Sequence, residues 1–179
     1  IDDAGNISGG KYFSGVGAPR IWEASKDAAA QLSGNASSAL LKQGASPKLD
    51  FTFKDVDGKP VSINEPRFKN KVIIVQILGS WCPNCMDETV FMHELYKKYR
   101  SKGVEIVGLA YERTADFTRS QQSVRNFMKR LKVEYPVLIT PVAVSDPQRA
   151  EKTLPQLEKI PAFPTTIFTD RKGEIQKIH

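Results

Sequence analysis

Lys71-Val72-Ile73-Ile74-Val75-Gln76-Ile77-Leu78-Gly79-Ser80-Trp81-Cys82-Pro83-Asn84-Cys85 is the stretch whose reading decides the fold. Val72 to Leu78 is β-branched and nearly continuous, broken only by Gln76, as in a central strand covered on both faces. No apolar run in the chain reaches the roughly 18 residues of a membrane span. The strand ends at Gly79, and Pro83 then reads as the first residue of a helix. There its fixed φ helps and its missing N–H is no loss. Cys82 becomes the N-cap, and the amides of Asn84 and Cys85 become donors for its side chain. Those donors and the positive end of the helix dipole predict a Cys82 thiol more acidic than the free value of about 8.5.

Three-residue spacing puts Cys82 and Cys85 on one helix face, with Cα atoms roughly 5 to 6 Å apart, within disulfide range. The chain has two cysteines in all, so its thiol chemistry is confined to this corner. The spacing predicts an exposed nucleophile at Cys82 and a shielded resolving thiol at Cys85. In the resulting cycle Cys82 attacks a disulfide, a mixed disulfide forms, and Cys85 releases the reduced product. Nothing in that cycle calls for a cofactor. A zinc knuckle would need four ligands, and His93 and His179 lack finger-like spacing. A peroxidatic cysteine of the peroxiredoxin kind would want Thr where Gly79 stands.

Working outward, Leu49, Phe51 and Phe53 alternate with polar residues, and Asp57-Gly58 turns the chain towards Val61 and Ile63, predicting an N-terminal β-hairpin. The helix from Pro83 to about Arg100 ends at Gly103. Val104 to Ala110 reads as the next strand. Val124, Phe127, Met128 and Leu131 share one helical face. Tyr135 to Ile139 reads as a short strand, Asp146-Pro147 opens a helix that Pro155 ends, and Thr165 to Thr169 and Glu174 to Ile178 are strands. This order predicts an α/β fold, a central mixed sheet flanked by helices. Residues 1–46 are Gly-, Ala-, Ser- and Asn-rich, with a weak helical pattern from Ala24 to Leu41. They read as an extension or the tail of a preceding domain, with the main domain at 47–179. Trp22, Leu32, Leu40 and Leu41 are expected to cover part of a sheet face.

The formal charge of +6 gathers between Lys97 and Lys132, where ten Lys or Arg face three Asp or Glu. These residues fall among helical patterns without glycine-rich or aromatic-interleaved motifs, so they read as a solvated basic face and no nucleic-acid partner is expected. Ile1 at the start reads as a processed or excised piece, so a signal peptide or lipid anchor would lie upstream.

Taken together, several of these segments resemble the TlpA/ResA-like thioredoxin-fold proteins of the bacterial cell envelope, within the wider redoxin superfamily. They are Leu49-Asp50-Phe51-Thr52-Phe53, Asp57-Gly58-Lys59-Pro60-Val61, the strand and Cys82-Pro83-Asn84-Cys85, Glu88, Lys102 to Gly108, Tyr135-Pro136-Val137-Leu138 and Phe163-Pro164-Thr165-Thr166-Ile167-Phe168. The resemblance covers about three-quarters of the chain. It implies a thioredoxin-like fold and a periplasmic or envelope thiol–disulfide oxidoreductase reducing exported proteins. The partners implied are a protein or peptide disulfide and a membrane-bound or soluble thiol donor.

By the same resemblance Pro164 is a cis-proline opposite the cysteines, and Phe163 offers backbone groups to substrate. Glu88 is an acid that assists proton movement, and Trp81 is a docking aromatic. The chain departs from the pattern at Gln76, where cytosolic thioredoxins bury an Asp, at Val90, and in the order Pro83-Asn84. It also ends after the last strand, where such folds add a helix. Two other readings of the same residues stay open. One is a copper metallochaperone drawing on His93 or His179; the other is a non-catalytic module of a larger surface protein.

Overall fold

The computed structural model describes residues 2–4, 6–12, 20–25 and 40–179. The chain forms two compact units, Ile1–Gly34 and Asn35–His179. In the first, strands β1 (Ile7–Tyr12) and β2 (Arg20–Ala24) pair antiparallel, with Lys11 opposite Ile21. The side chain of Trp22, Leu32 and most of the Ala24–Leu41 helical pattern lie outside the described residues.

The second unit is built on a seven-stranded mixed sheet. Its strands are β3 (Thr52–Asp55), β4 (Pro60–Ser62), β5 (Val72–Leu78), β6 (Val104–Ala110), β7 (Val137–Ile139), β8 (Thr165–Thr169) and β9 (Ile175–Ile178), in the order β4-β3-β7-β6-β5-β8-β9. The pairs β5–β6 and β6–β7 are parallel; β3–β4, β3–β7, β5–β8 and β8–β9 are antiparallel. The predicted hairpin is β3–β4. Its turn is held by the Asp55 carboxylate, which accepts from the Asp57 and Lys59 amides, and by Gly58 at φ 79°. That positive φ is why glycine follows Asp57.

Strand alternation divides β5 between two cores. Ile73, Val75 and Ile77 face one side, where they meet Phe51, Leu109, Leu138, Leu154 and Leu157. Ile74 and Leu78 face the other, under helices α1 (Pro83–Tyr99) and α2 (Phe117–Leu131), among Met92, Tyr96, Val124 and Phe127. On the first side the cover comes from the short helix α3 (Arg149–Thr153), the segment up to Ile160, and residues flanking the hairpin. Leu40 and Leu41 also pack there, with Leu41 bridged to Leu157. At its far end α1 passes into a 3-10 turn, Arg100–Lys102, closed by Gly103 at φ 84°. The predicted strand from Tyr135 is shorter than expected, because Tyr135 and Pro136 precede the pairing that begins at Val137.

Candidate functional site

The site is assembled where β5 ends and α1 begins. Cys82 is the N-cap of α1, with Pro83 at the first helical position, and its sulfur accepts from the Cys85 N–H at 3.4 Å. The Cys82 amide is itself held by the Gly79 carbonyl at 3.0 Å. Both cysteines are free thiols. Cys85 is fully buried, and that burial, reinforced by its contact with Cys82, pushes its thiol well above the ordinary range.

Cys82 is less open than the spacing alone predicts: only 6% of its surface is exposed. The reason is tertiary. The chain returns at Phe163-Pro164, whose peptide bond is cis, and the Cys82 Sγ–H donates to the Phe163 carbonyl at 3.6 Å. Phe163 in turn packs against Trp81 and Tyr111, with ring centroids 5.7 and 5.8 Å away. Arg149 secures this loop by donating to the Ile160 and Val144 carbonyls while its guanidinium lies over the Phe163 ring. The sulfur therefore sits in an aromatic notch floored by the helix N-terminus.

Trp81 is seated by its indole N–H, which donates to the Tyr111 carbonyl at 3.0 Å. The turn before it is pinned by buried Glu112, which accepts from both the amide and the hydroxyl of Ser80 at 2.8 and 2.7 Å. Gly79 leaves the space the indole occupies. A Cβ there would lie 2.4 Å from Trp81 Nε1, closer than any tolerated contact. Gly79→Ala should thus evict the indole and cost about 1 to 3 kcal/mol. In a Trp22→Phe background the Trp81 emission should move to longer wavelength and become more accessible to acrylamide. An unchanged spectrum and quenching constant would show that the indole has another seat.

Beneath the thiols runs a polar chain. Gln76, fully buried on β5, donates from Nε2 to Glu88 Oε2 at 2.7 Å and to Thr89 Oγ1 at 3.1 Å. Its Oε1 accepts from the Tyr135 hydroxyl at 2.9 Å. Thr166 donates to Glu88 Oε1 at 2.7 Å. Burial raises the Tyr135 phenol well above its ordinary value, so it stays a donor. Glu88 is half-buried one turn beyond Cys85 on α1, where its negative charge adds to the upward push on the Cys85 thiol. Thr89, Thr166, Tyr135, Tyr111 and Glu112 escape a reading of the motif. One signal was available: in an antiparallel β5–β8 pair Thr166 lies directly opposite Gln76.

The structure thus brings Trp81, Cys82, Cys85, Phe163 and Pro164 together, with Glu88 linked from below. His93 lies two turns of helix beyond Cys85, about 12 Å along the axis, so it does not complete a thiol metal site. Among the described residues no group of three His, Cys, Asp or Glu is arranged to hold a metal ion.

Residues 42–179 match the Redoxin family along their whole length. The chain belongs to the Redoxin family. This redoxin is 30% identical over 126 residues to the thiol-disulfide oxidoreductase ResA of Bacillus thuringiensis subsp. konkukian, and the match covers 70% of the chain and 63% of that relative. The ResA of Bacillus subtilis is 26% identical over 129 residues, again spanning 63% of its length. The chain therefore spans under two thirds of these relatives. Among solved structures, a thiol:disulfide interchange protein of the thioredoxin family from Chlorobium tepidum superposes with a TM-score of 0.60 at 27% identity, covering 77% of the redoxin and 87% of that chain. The fold is thioredoxin-like.

Proposed function

We propose that this redoxin is a thiol–disulfide oxidoreductase that reduces disulfides of exported proteins, with Cys82 as nucleophile and Cys85 as resolving thiol. The observation that carries this reading is the asymmetry of the pair. Cys82 caps α1 with an N–H aimed at its sulfur, while Cys85 is fully buried and its thiol is held in the protonated form. In the cycle the Cys82 thiolate attacks one sulfur of the substrate disulfide, forming a mixed disulfide and releasing the other sulfur as thiolate. Cys85 then loses its proton and attacks Cys82, so two protein thiols become one disulfide and the substrate leaves with two thiols. A thiol donor, membrane-bound or soluble, reverses the change.

Phe163 and Pro164 form the wall against which an extended substrate strand would lie, offering the Phe163 carbonyl, with Trp81 as the docking aromatic. Residues 47–179 carry this chemistry, with 1–46 as an extension. The resemblance to envelope thioredoxin-fold proteins, together with relatives named as thiol–disulfide oxidoreductases, supports a cell-envelope or periplasmic setting for this activity. Among the described residues no helix is long and apolar enough to cross a membrane. The direct test is reduction of insulin with dithiothreitol as donor. The wild-type protein should accelerate precipitation of the B chain, and a rate equal to dithiothreitol alone would end this reading.

Glu88 is proposed to take the Cys85 proton, because its charge reaches that thiol and two donors keep its carboxylate in place. Glu88→Gln retains both contacts if the Thr166 hydroxyl turns to accept. Stability should therefore change by less than about 1 kcal/mol. Turnover should fall about tenfold, less than the usual ~10²- to 10⁴-fold for a proton carrier, since water reaches a half-buried position and can substitute. The alkaline dependence of the rate should shift as well. An activity–pH curve superimposable on wild type would remove Glu88 from the mechanism.

A further inference from the structure

Next to the turn that carries the dithiol, a cavity of about 610 Å³ opens between Ser80–Trp81, the segment following β6, and α2. Its floor is apolar, from Trp81, Met86 and Phe127. Its rim is cationic. Arg113 comes from the loop after β6, and Arg119 and Arg130 come from α2. The two helical arginines are eleven residues apart, with Ser123 and Asn126 between them on the same face. Three turns of helix place them about 16 Å apart along the axis, the length of roughly five extended residues.

All three arginines are exposed, and none takes part in a salt bridge among the described residues. Arg113 lies over the Trp81 ring at 5.6 Å, which ties the charge to the docking aromatic. The acid lining the cavity, Glu112, is buried and spends its carboxylate on Ser80. Against that single carboxylate the three arginines leave the cavity lining net positive.

We propose that this groove binds an acidic segment next to the target disulfide, so that the preferred substrates are protein disulfides flanked by Asp and Glu. This rests on the oxidoreductase reading for the chemistry but not for the binding. The carboxylates would pair with Arg113, Arg119 and Arg130, while an apolar side chain of the same segment covers Met86 and Phe127. Such a rim acts on encounter and orientation, and it weakens with salt because the charges are exposed.

Binding and turnover are separable. A fluorescein-labelled ten-residue peptide carrying four Asp or Glu beside a Ser-Ser pair contains no disulfide, so its anisotropy reports binding alone. It should bind at least about tenfold tighter than a Lys-substituted counterpart, and this preference should vanish at 0.5 M salt and in an Arg119→Ala/Arg130→Ala variant. With the corresponding Cys-Cys disulfide peptides, the acidic one should show a lower KM. The neutral 2-hydroxyethyl disulfide should be reduced equally by wild type and variant. Equal affinity for acidic and basic peptides would overturn the proposal. So would tighter binding of a single-stranded oligonucleotide of the same charge, which would make the rim a general polyanion surface. Peptide discrimination without reduction of any disulfide would uphold the groove and remove the oxidoreductase reading instead.

Discussion

The Cys85→Ser protein will accumulate as covalent complexes with its substrates, and the Cys82→Ser protein will form none. The difference follows from where each sulfur sits. Cys82 has the Cys85 amide aimed at it, a helix N-terminus behind it and the Phe163-Pro164 wall in front. A sulfur at that position is the one an incoming disulfide can reach, and it can attack. Without the Cys85 sulfur the first step proceeds, but nothing displaces the substrate, so the mixed disulfide persists. With Cys85 alone, the remaining sulfur is fully buried and its proton is held tightly, so it neither meets a substrate nor ionises.

Turnover of insulin should be lost in both variants, while covalent capture should distinguish them. Non-reducing gels of each variant expressed with export to an envelope compartment and probed for the protein will show a ladder for Cys85→Ser that collapses with reductant. Cys85→Ala, which adds no hydroxyl to that buried position, should give the same ladder. Equal ladders from Cys82→Ser and Cys85→Ser would reverse the assignment of nucleophile. No ladder from any variant would point to a structural or metal-binding pair.

What could be read in advance was local. The cysteine spacing, Pro83 and the strand before them define an N-cap without any tertiary information, and Cys82 occupies it. Asp57-Gly58 carries its own turn, because the Asp55 side chain and the positive φ of Gly58 involve only neighbours. The continuous apolar character of β5 announced a strand covered on both faces, and two separate cores cover it. What escaped was long-range. Cys82 is hidden by Phe163, eighty-one residues away, and no local pattern encodes that return. Gln76 stood out as an oddity within an apolar strand, but its partners come from α1, from β8 and from Tyr135, two residues before β7. Glu112 reads as a charged residue after a strand and is in fact a buried anchor for the turn that carries Trp81. In each case the side chain is polar, and its purpose lies in a partner that only the folded sheet supplies.

Gln76 is therefore the position where a conservative-looking change should be most damaging to the fold. Replacing it with Leu keeps the volume and improves the apolar run, so strand propensity argues for tolerance. The hydrogen bonds argue the other way. The amide satisfies the Tyr135 hydroxyl, half of the Glu88 carboxylate and the Thr89 hydroxyl at once. Gln76→Leu leaves a buried phenol without its acceptor and removes one of the two side-chain donors to Glu88. An unsatisfied buried polar group costs about 1 to 3 kcal/mol, and more where the group is charged. The expected loss is thus about 2 to 5 kcal/mol, against about 1 kcal/mol or less of gain from the added apolar surface.

Tyr135→Phe, which deletes one partner while Gln76 keeps Glu88 and Thr89, should cost about 1 kcal/mol. Because the double variant removes both ends of one hydrogen bond, Gln76→Leu with Tyr135→Phe should be less damaging than the sum of the two. Urea unfolding followed by far-ultraviolet circular dichroism measures all three. A Gln76→Leu protein as stable as wild type would mean that the chain beneath the thiols contributes nothing net to the fold. Strict additivity would mean that Gln76 and Tyr135 do not act through each other.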